Sequence, residues 1–233
     1  MELNSYIDHT NLKNTATLKD IEKLCNEAIK YHFHSVCVYP YYVPLAKELL
    51  DGTSVEVCTV IGFPMGMNTK ESKVYEAIDA VEKGATEIDM VINIAALKNK
   101  DYDYVKDEIE EIRDAIDGKV LKVIIETCLL TDKEIVKMTE ICNETFVNFI
   151  KTSTGFSEYG AKVEDIELIN DYKNDLLEIK ASGGIRDIET AEAMIKAGAT
   201  RLGTSSGVKL MQSDCDCEKE QECHCGHCHK EEE

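Results

Sequence analysis

Short apolar segments alternate with longer amphipathic segments along most of this chain. The apolar segments, which we expect to be strands, are 6–9, 35–39, 55–62, 87–94, 120–126, 146–151, 176–182 and 201–203. Helical patterns lie between them, most clearly at 18–31, 70–83, 104–116, 132–142 and 188–197. Eight strands alternating with helices predict a (β/α)8 TIM barrel, an α/β fold, in residues 1–211. A doubly wound open sheet is the alternative, but no GxGxxG follows the first strand to mark its switch point.

Two lysines close apolar runs, each just before a loop that contains glycine. Lys151 ends the sixth predicted strand, and Lys180 lies near the end of the seventh. Burial disfavours the charged amine and lowers its pKa, and a second amine nearby lowers it further. A neutral amine can attack a carbonyl. The structural alternative is a lysine that marks a strand end and extends its amine to water. The pair favours amine chemistry.

Alternation within the barrel strands places charged side chains in the interior. Ile88 and Met90 suit the helix layer, which leaves Asp89 facing the barrel axis. The same reasoning on the fifth strand turns Lys122 inward. A carboxylate and two or three amines then converge near the end of the barrel where active sites lie. A buried Lys–Asp pair that only stabilises the fold remains the structural alternative.

Glycine and serine follow the last strands of the predicted barrel. In phosphate-binding barrels such loops present backbone N–H groups to the anion, together with the start of a short helix. The candidate phosphate-binding residues are Gly183, Gly184, Gly203, Ser205 and Ser206, with Gly155 on the sixth loop. An amine nucleophile beside a phosphate site predicts a sugar-phosphate substrate.

Seven segments of the chain, in order, resemble the deoxyribose-phosphate aldolase family. They are 6–10, 36–40, 86–93, 121–127, 149–156, 179–186 and 201–206, and Phe-Ile-Lys-Thr-Ser-Thr-Gly at 149–155 is highly specific to that family. The resemblance implies a class I, metal-independent aldolase with the barrel fold that acts in deoxyribonucleotide catabolism. Its reaction interconverts 2-deoxy-D-ribose 5-phosphate with acetaldehyde and D-glyceraldehyde 3-phosphate.

The resemblance also assigns roles to individual residues. It implies that Lys151 forms the Schiff base, that Lys180 perturbs it and that Asp89 transfers protons. Further candidate substrate-binding residues are Asp8, Thr10, Cys37 and Lys122. For Cys37, a buried apolar role is the alternative. A homodimer is also a family-based expectation.

Charge and composition exclude several classes of partner. A net charge of −19 argues against nucleic acid, whose phosphates such a surface repels. No segment approaches the roughly 18 apolar residues of a membrane span. The N-terminal residues lack the basic start and apolar centre of a signal peptide. We therefore expect a cytoplasmic enzyme whose partners are small molecules.

Residues 212–233 form an acidic tail rich in cysteine and histidine, and we expect this tail to be disordered. Its thiol and imidazole groups suit Zn²⁺ or Cu(I) outside catalysis, and an inert or redox-active tail is the alternative. The candidate ligands are Cys215, Cys217, Cys223, Cys225, Cys228, His224, His227 and His229. The other cysteines, which we expect to be buried free thiols, are Cys25, Cys37, Cys58, Cys128 and Cys142.

Two other functions remain open from the sequence. One is a metal-sequestering or metal-sensing protein carried on a barrel that has lost its activity. The retention of Lys151, Lys180 and Asp89 argues against this, because buried charges destabilise a fold unless they are compensated. The other is a class I aldolase for a different pair of aldehydes.

Overall fold

Eight parallel strands close into a barrel in the computed structural model, which describes residues 2–216. Each strand pairs with the next in sequence, and β8 pairs with β1 to close the sheet. The strands are β1 Ile7–Asn11, β2 Ser35–Val38, β3 Glu56–Ile61, β4 Glu87–Val91, β5 Val120–Ile124, β6 Phe149–Lys151, β7 Glu178–Ser182 and β8 Arg201–Thr204. The predicted TIM barrel is confirmed, and the open-sheet alternative is wrong.

Helices cover the outside of the barrel. They are α1 Leu18–Tyr31, α2 Val43–Leu49, α3 Lys70–Glu82, α4 Ile94–Lys98, α5 Tyr102–Ala115, α6 Asp132–Glu144, α7 Val163–Tyr172, α8 Ile188–Ala197 and α9 Gly207–Asp216. The five clearest helical patterns all correspond to helices at these positions. The additional helices are α2, α4, α7 and α9.

Two strands, β4 and β6, are each three residues shorter than the apolar runs that indicated them. β4 ends at Val91, because Asn93 caps α4 by accepting a hydrogen bond from the Ala96 N–H at 3.0 Å. β6 begins only at Phe149, since Phe146 has a positive φ of 53° and is 70% exposed. A side-chain cap therefore sets the end of β4, and backbone geometry sets the start of β6.

The main hydrophobic core lies between the barrel and its helices. Ile88 and Met90 belong to it, as the alternation in β4 predicts. A smaller apolar cluster lies on the other face of the strands and contains Leu12, Cys37, Cys58 and Val60. This second cluster shares the barrel interior with the charged residues described below.

The last helix, α9, continues to Asp216, so the predicted boundary after Met211 falls within a helix. Cys215 lies in the final turn of α9. The other candidate metal ligands of the tail lie outside the described residues: Cys217, Cys223, Cys225, Cys228, His224, His227 and His229. Within residues 2–216, no helix combines the length and apolar character needed to cross a membrane.

Candidate active site

Three lysines and one carboxylate meet inside the barrel. Asp89 Oδ2 accepts hydrogen bonds from Lys151 Nζ and Lys180 Nζ, each at 2.7 Å. Asp89 Oδ1 accepts one from Lys122 Nζ at 2.8 Å and one from the Cys58 thiol at 3.1 Å. Asp89, Lys122 and Lys180 are completely buried, whereas Lys151 is 3% exposed. The structure therefore brings together the three predicted catalytic residues, and Lys151 is the one that reaches the barrel mouth.

Further charges surround this group. Asp8 Oδ2 lies 2.5 Å from Lys180 Nζ, and Asp8 Oδ1 accepts a hydrogen bond from Arg201 at 3.0 Å. Glu87 pairs with Lys122 at 2.6 Å and with Arg201 at 3.1 Å. Four cationic side chains and three carboxylates thus form one network, and each cation has a carboxylate partner. This pairing offsets the cost of burying charge in the barrel.

The network shifts the proton affinities of its members. Burial alone would raise the pKa of Asp89, but the charges of Lys122, Lys151 and Lys180 outweigh burial and hold that pKa well below its ordinary value of 3.8. In the same way, Lys122 and His34 contribute to lowering the pKa of Glu87 to about 2 against the effect of burial.

The predicted direction of the pKa shift is wrong for Lys180. Burial does favour a lower pKa, but Asp8 and Asp89 outweigh it and raise the pKa of Lys180 above its ordinary value. The amine of Lys180 is therefore a stable cation beside Lys151 at neutral pH. In this resting state it is a fixed positive charge and not a second neutral nucleophile.

A cavity of about 620 Å³ opens above Lys151 at the carboxyl ends of the strands. Of the predicted site residues, those that line it are Thr10, Lys151, Gly155, Gly183, Gly184, Gly203 and Ser205. Ser206 immediately precedes α9, so backbone N–H groups at the start of this helix lie next to the cavity loops. Such a helix start suits an anion.

Three other predicted site residues do not reach the cavity, and one of them contacts Thr10 in its lining. Asp8, Cys37 and Lys122 are completely buried in the barrel interior and do not line the cavity. Thr10 lines it and donates its hydroxyl to the Asp8 carbonyl at 2.8 Å. These residues therefore fall into two layers, one that faces solvent and one that holds the charged network.

Gly203 has a packing role that its sequence context does not reveal. A Cβ atom at this position would lie 3.1 Å from Lys180 Cε and 2.9 Å from Ser182 Cβ. Both distances are shorter than ordinary van der Waals contacts. The absence of a side chain at Gly203 therefore leaves the space in which Lys180 reaches Asp89.

Three residues that our sequence reasoning did not select also belong to the site. Cys58 donates to Asp89, Arg201 pairs with Asp8 and Glu87, and Arg186 lines the cavity beside Gly183 and Gly184. Alternation in β3 would have placed Cys58 inside the barrel. The position of Arg186, directly after the glycine loop, would have indicated a cation near the predicted phosphate-binding residues.

Comparison with known proteins gives consistent matches over nearly the whole chain. The sequence model of a family described as DeoC/LacD family aldolase matches residues 3–213. A deoxyribose-phosphate aldolase of Finegoldia magna is 58% identical over 212 residues, which cover 91% of this chain and 100% of that relative. One of Clostridium tetani is 54% identical over 213 residues, with 91% and 99% covered.

Solved structures agree with these sequence matches. An aldolase named QR15 superposes with a TM-score of 0.88 at 44% identity, over 92% of this chain and 96% of its own. The deoxyribose phosphate aldolase of Aeropyrum pernix, described as a unique tetramer, gives a TM-score of 0.85 at 33% identity over 92% of each chain.

Proposed function

This chain belongs to the DeoC/LacD family of aldolases, and on that basis we propose that it is a class I deoxyribose-phosphate aldolase. It reversibly cleaves 2-deoxy-D-ribose 5-phosphate to D-glyceraldehyde 3-phosphate and acetaldehyde. The observation that carries the proposal is the contact of Lys151 with Asp89 and the contact of Asp89 with Lys180, both at 2.7 Å, beneath an open cavity.

Lys151 is the nucleophile in this proposal. Its amine must lose a proton before it can attack the aldehyde carbon, and Asp89 Oδ2 is the carboxylate within reach of that proton. The attack forms a C–N bond, and loss of water leaves a protonated imine. This cation withdraws electrons from the neighbouring C–C bond, which makes that bond cleavable. The imine thus supplies the electron sink, so the chemistry requires no cofactor.

Asp89 and Lys180 move protons during the cleavage. A base removes the proton of the 3-hydroxyl as the C2–C3 bond breaks, and glyceraldehyde 3-phosphate leaves. The remaining enamine then takes a proton at C2, and water releases acetaldehyde from Lys151. We assign both transfers to Asp89 and Lys180, acting through a water molecule, because they share the polar contact next to Lys151.

In this proposal, the phosphate group of the substrate binds in the part of the cavity formed by the loops that follow β7 and β8. Gly183, Gly184, Ser205, Ser206 and the start of α9 would present N–H and hydroxyl donors to it. Arg186 adds a positive charge on the same side. Binding energy from this remote group would assist the reaction at the carbonyl end.

The acidic tail has a separate role in our proposal. Its thiol and imidazole groups would bind Zn²⁺ or Cu(I) without taking part in the aldol reaction. Lys151, Lys180 and Asp89, the catalytic residues of the proposal, all precede the tail in sequence and contact one another within the described residues. Cytoplasmic location and a homodimer remain predictions.

Trapping the imine tests the aldolase proposal directly. Acetaldehyde and sodium borohydride should add an ethyl group to Lys151, which peptide mass spectrometry would locate. Lys151→Arg should give no label and no turnover, because a guanidinium is not a free nucleophile at working pH. Lys119→Arg, at an exposed position, should label normally. Label confined to another lysine would refute the mechanism.

A further inference from the structure

We propose that Cys37 and Cys58 form an oxidation site inside the barrel, where a hydroperoxide converts the two thiols to a disulfide. Neither thiol is needed as a nucleophile in the aldol mechanism. Formation of the disulfide does not depend on the proposed aldolase function, whereas the effect of the disulfide on turnover does. The site lies next to Asp89, so its oxidation state would control the charged network.

The strand register brings the two cysteines side by side. Cys37 on β2 is the direct partner of Cys58 on β3, and both side chains belong to the same interior cluster. Neighbouring strands lie about 4.8 Å apart, which is within the range of Cα separations that a disulfide spans. The two sulfur atoms and a carboxylate oxygen of Asp89 all lie within 4.8 Å of one another. The strand spacing therefore permits a disulfide if the two side chains rotate toward each other.

The two thiols differ in reactivity, as an attacking and a resolving cysteine should. The neighbouring Cys58 thiol and the charge of Lys180 together outweigh burial and lower the pKa of Cys37. Burial is the main cause that raises the pKa of Cys58 well above its ordinary value. By contrast, burial alone raises the pKa of Cys25 to about 12. Because the thiolate is the reacting species, Cys37 is the favoured first site of oxidation.

The reaction balances with one hydroperoxide. The Cys37 thiolate attacks the peroxide and becomes a sulfenic acid, and the hydroxide or alkoxide that leaves takes up a proton. The Cys58 sulfur then attacks the sulfenic sulfur, its proton leaves with the hydroxyl group as water, and the S–S bond forms. Two thiols and one hydrogen peroxide thus give one disulfide and two waters. Both cysteines are fully buried, which favours this small, uncharged oxidant over bulky ones.

Oxidation would alter the network around the lysines. Cys58 loses its S–H, and with it the hydrogen bond that it donates to Asp89 Oδ1 at 3.1 Å. In the reduced protein, Lys122 Nζ donates a hydrogen bond to the Cys58 sulfur at 3.3 Å. In the disulfide, this sulfur would turn toward Cys37 and away from Lys122. Asp89 would then have one hydrogen bond fewer, and its contacts with the lysines would rearrange. We therefore expect the disulfide form to be inactive and reduction by dithiothreitol to restore turnover.

Peptide mapping of the full-length chain tests the disulfide without relying on activity. The reduced protein is treated with hydrogen peroxide, its free thiols are alkylated, and it is digested with trypsin, which separates the two cysteines at Lys47. The expected product is a linked pair of peptides, two hydrogen atoms lighter than their sum. Cys37 found mainly as a sulfinic acid, joined to a tail cysteine, or bridged through oxygen to a lysine would overturn the proposal.

Turnover assays test the consequence. Remaining activity should fall in proportion to the fraction of linked peptide and return with dithiothreitol. Cys37→Ala and Cys58→Ala, each compared with its own unoxidised activity, should lose this reversible inhibition. Cys142→Ala, in α6, should respond like the parent protein. Complete linkage with unchanged turnover would refute the control of activity, and absent turnover in every sample would refute only the aldolase proposal.

Discussion

Replacing Asp89 with asparagine removes one charge from the network and almost no volume. Three lysines would then surround an amide, and only Asp8 and Glu87 would remain as carboxylates for the four cations. Removing one partner of a buried ion pair typically costs about 3–5 kcal/mol. For a chain of this size that corresponds to a melting temperature lower by roughly 6–20 °C. Asp89→Asn should still fold, since a typical domain has about 5–15 kcal/mol of stability.

Asp89→Asn should lower turnover by more than its loss of stability alone would explain. Loss of a proton-transfer group typically lowers the rate by about 10²- to 10⁴-fold, which is a barrier higher by roughly 2.7–5.5 kcal/mol. The assay is cleavage of 2-deoxyribose 5-phosphate, coupled to the reduction of the released acetaldehyde. It is run at a temperature where circular dichroism shows the variant to be folded. Turnover within a few-fold of the parent would refute the role of Asp89.

A matched control separates stability from chemistry. Glu108 is also fully buried and pairs with Lys73 Nζ at 2.6 Å, but it lies outside the charged network of the barrel interior. Glu108→Gln should lower the melting temperature in a similar range and keep its turnover. If both variants lost activity equally, destabilisation would explain the result for Asp89.

The pH dependence of stability gives an independent check on Asp89. Its pKa in the folded protein is well below the ordinary value of 3.8, so its ionised form stabilises the fold above that pH, and the contribution is lost on further acidification. Asp89→Asn lacks this contribution. The difference in unfolding free energy between the two proteins should be constant above about pH 5 and become smaller below it. A difference that does not change with acid would contradict the pairing.

Three further predictions concern the neighbouring cation, the phosphate site and the tail. Lys180→Leu should shift the pH at which borohydride trapping of Lys151 is half-maximal upward, because a nearby positive charge is lost; an unchanged profile would show that the amines are not coupled. Arg186→Ala should lower kcat/KM for the sugar phosphate by about ten- to 150-fold, the value of one charged hydrogen bond, and leave 2-deoxyribose unaffected; equal losses on both sugars would remove Arg186 from the phosphate site. Ending the chain after Asp216 should abolish most Zn²⁺ binding in calorimetry and preserve aldol cleavage, whereas strong inhibition of the intact protein by chelators would contradict this separation.

The barrel could be predicted from sequence because most strands are apolar runs and five of the segments between them have a clear helical pattern. The short helix α4 could not, since Ile94 continues an apolar run that resembles a strand. Only the cap formed by Asn93 distinguishes the two structures. The end of β4 therefore depended on a single side-chain contact that a hydrophobic pattern does not contain.

The site was predictable where alternation alone decides which way a side chain points. Asp89 and Lys122 face inward for that reason, and Lys151 lies near the mouth because it ends a strand. The direction of the Lys180 shift was not predictable, because it depends on Asp8, which lies far away in sequence. Burial and two carboxylates oppose each other at that amine, and only the distances show which effect is larger.

Closure of the barrel also determines when this protein can become active during its synthesis. Asp8 belongs to the first strand and Arg201 to the last, 193 residues later, and their contact is part of the charged network. Domains generally fold from the N-terminus as the chain emerges from the ribosome. Until β8 has been made, β1 has an open edge and the Asp8 carboxylate lacks its arginine. A nascent chain can thus build most of its wall early, yet the complete network forms only when the last strand joins the first.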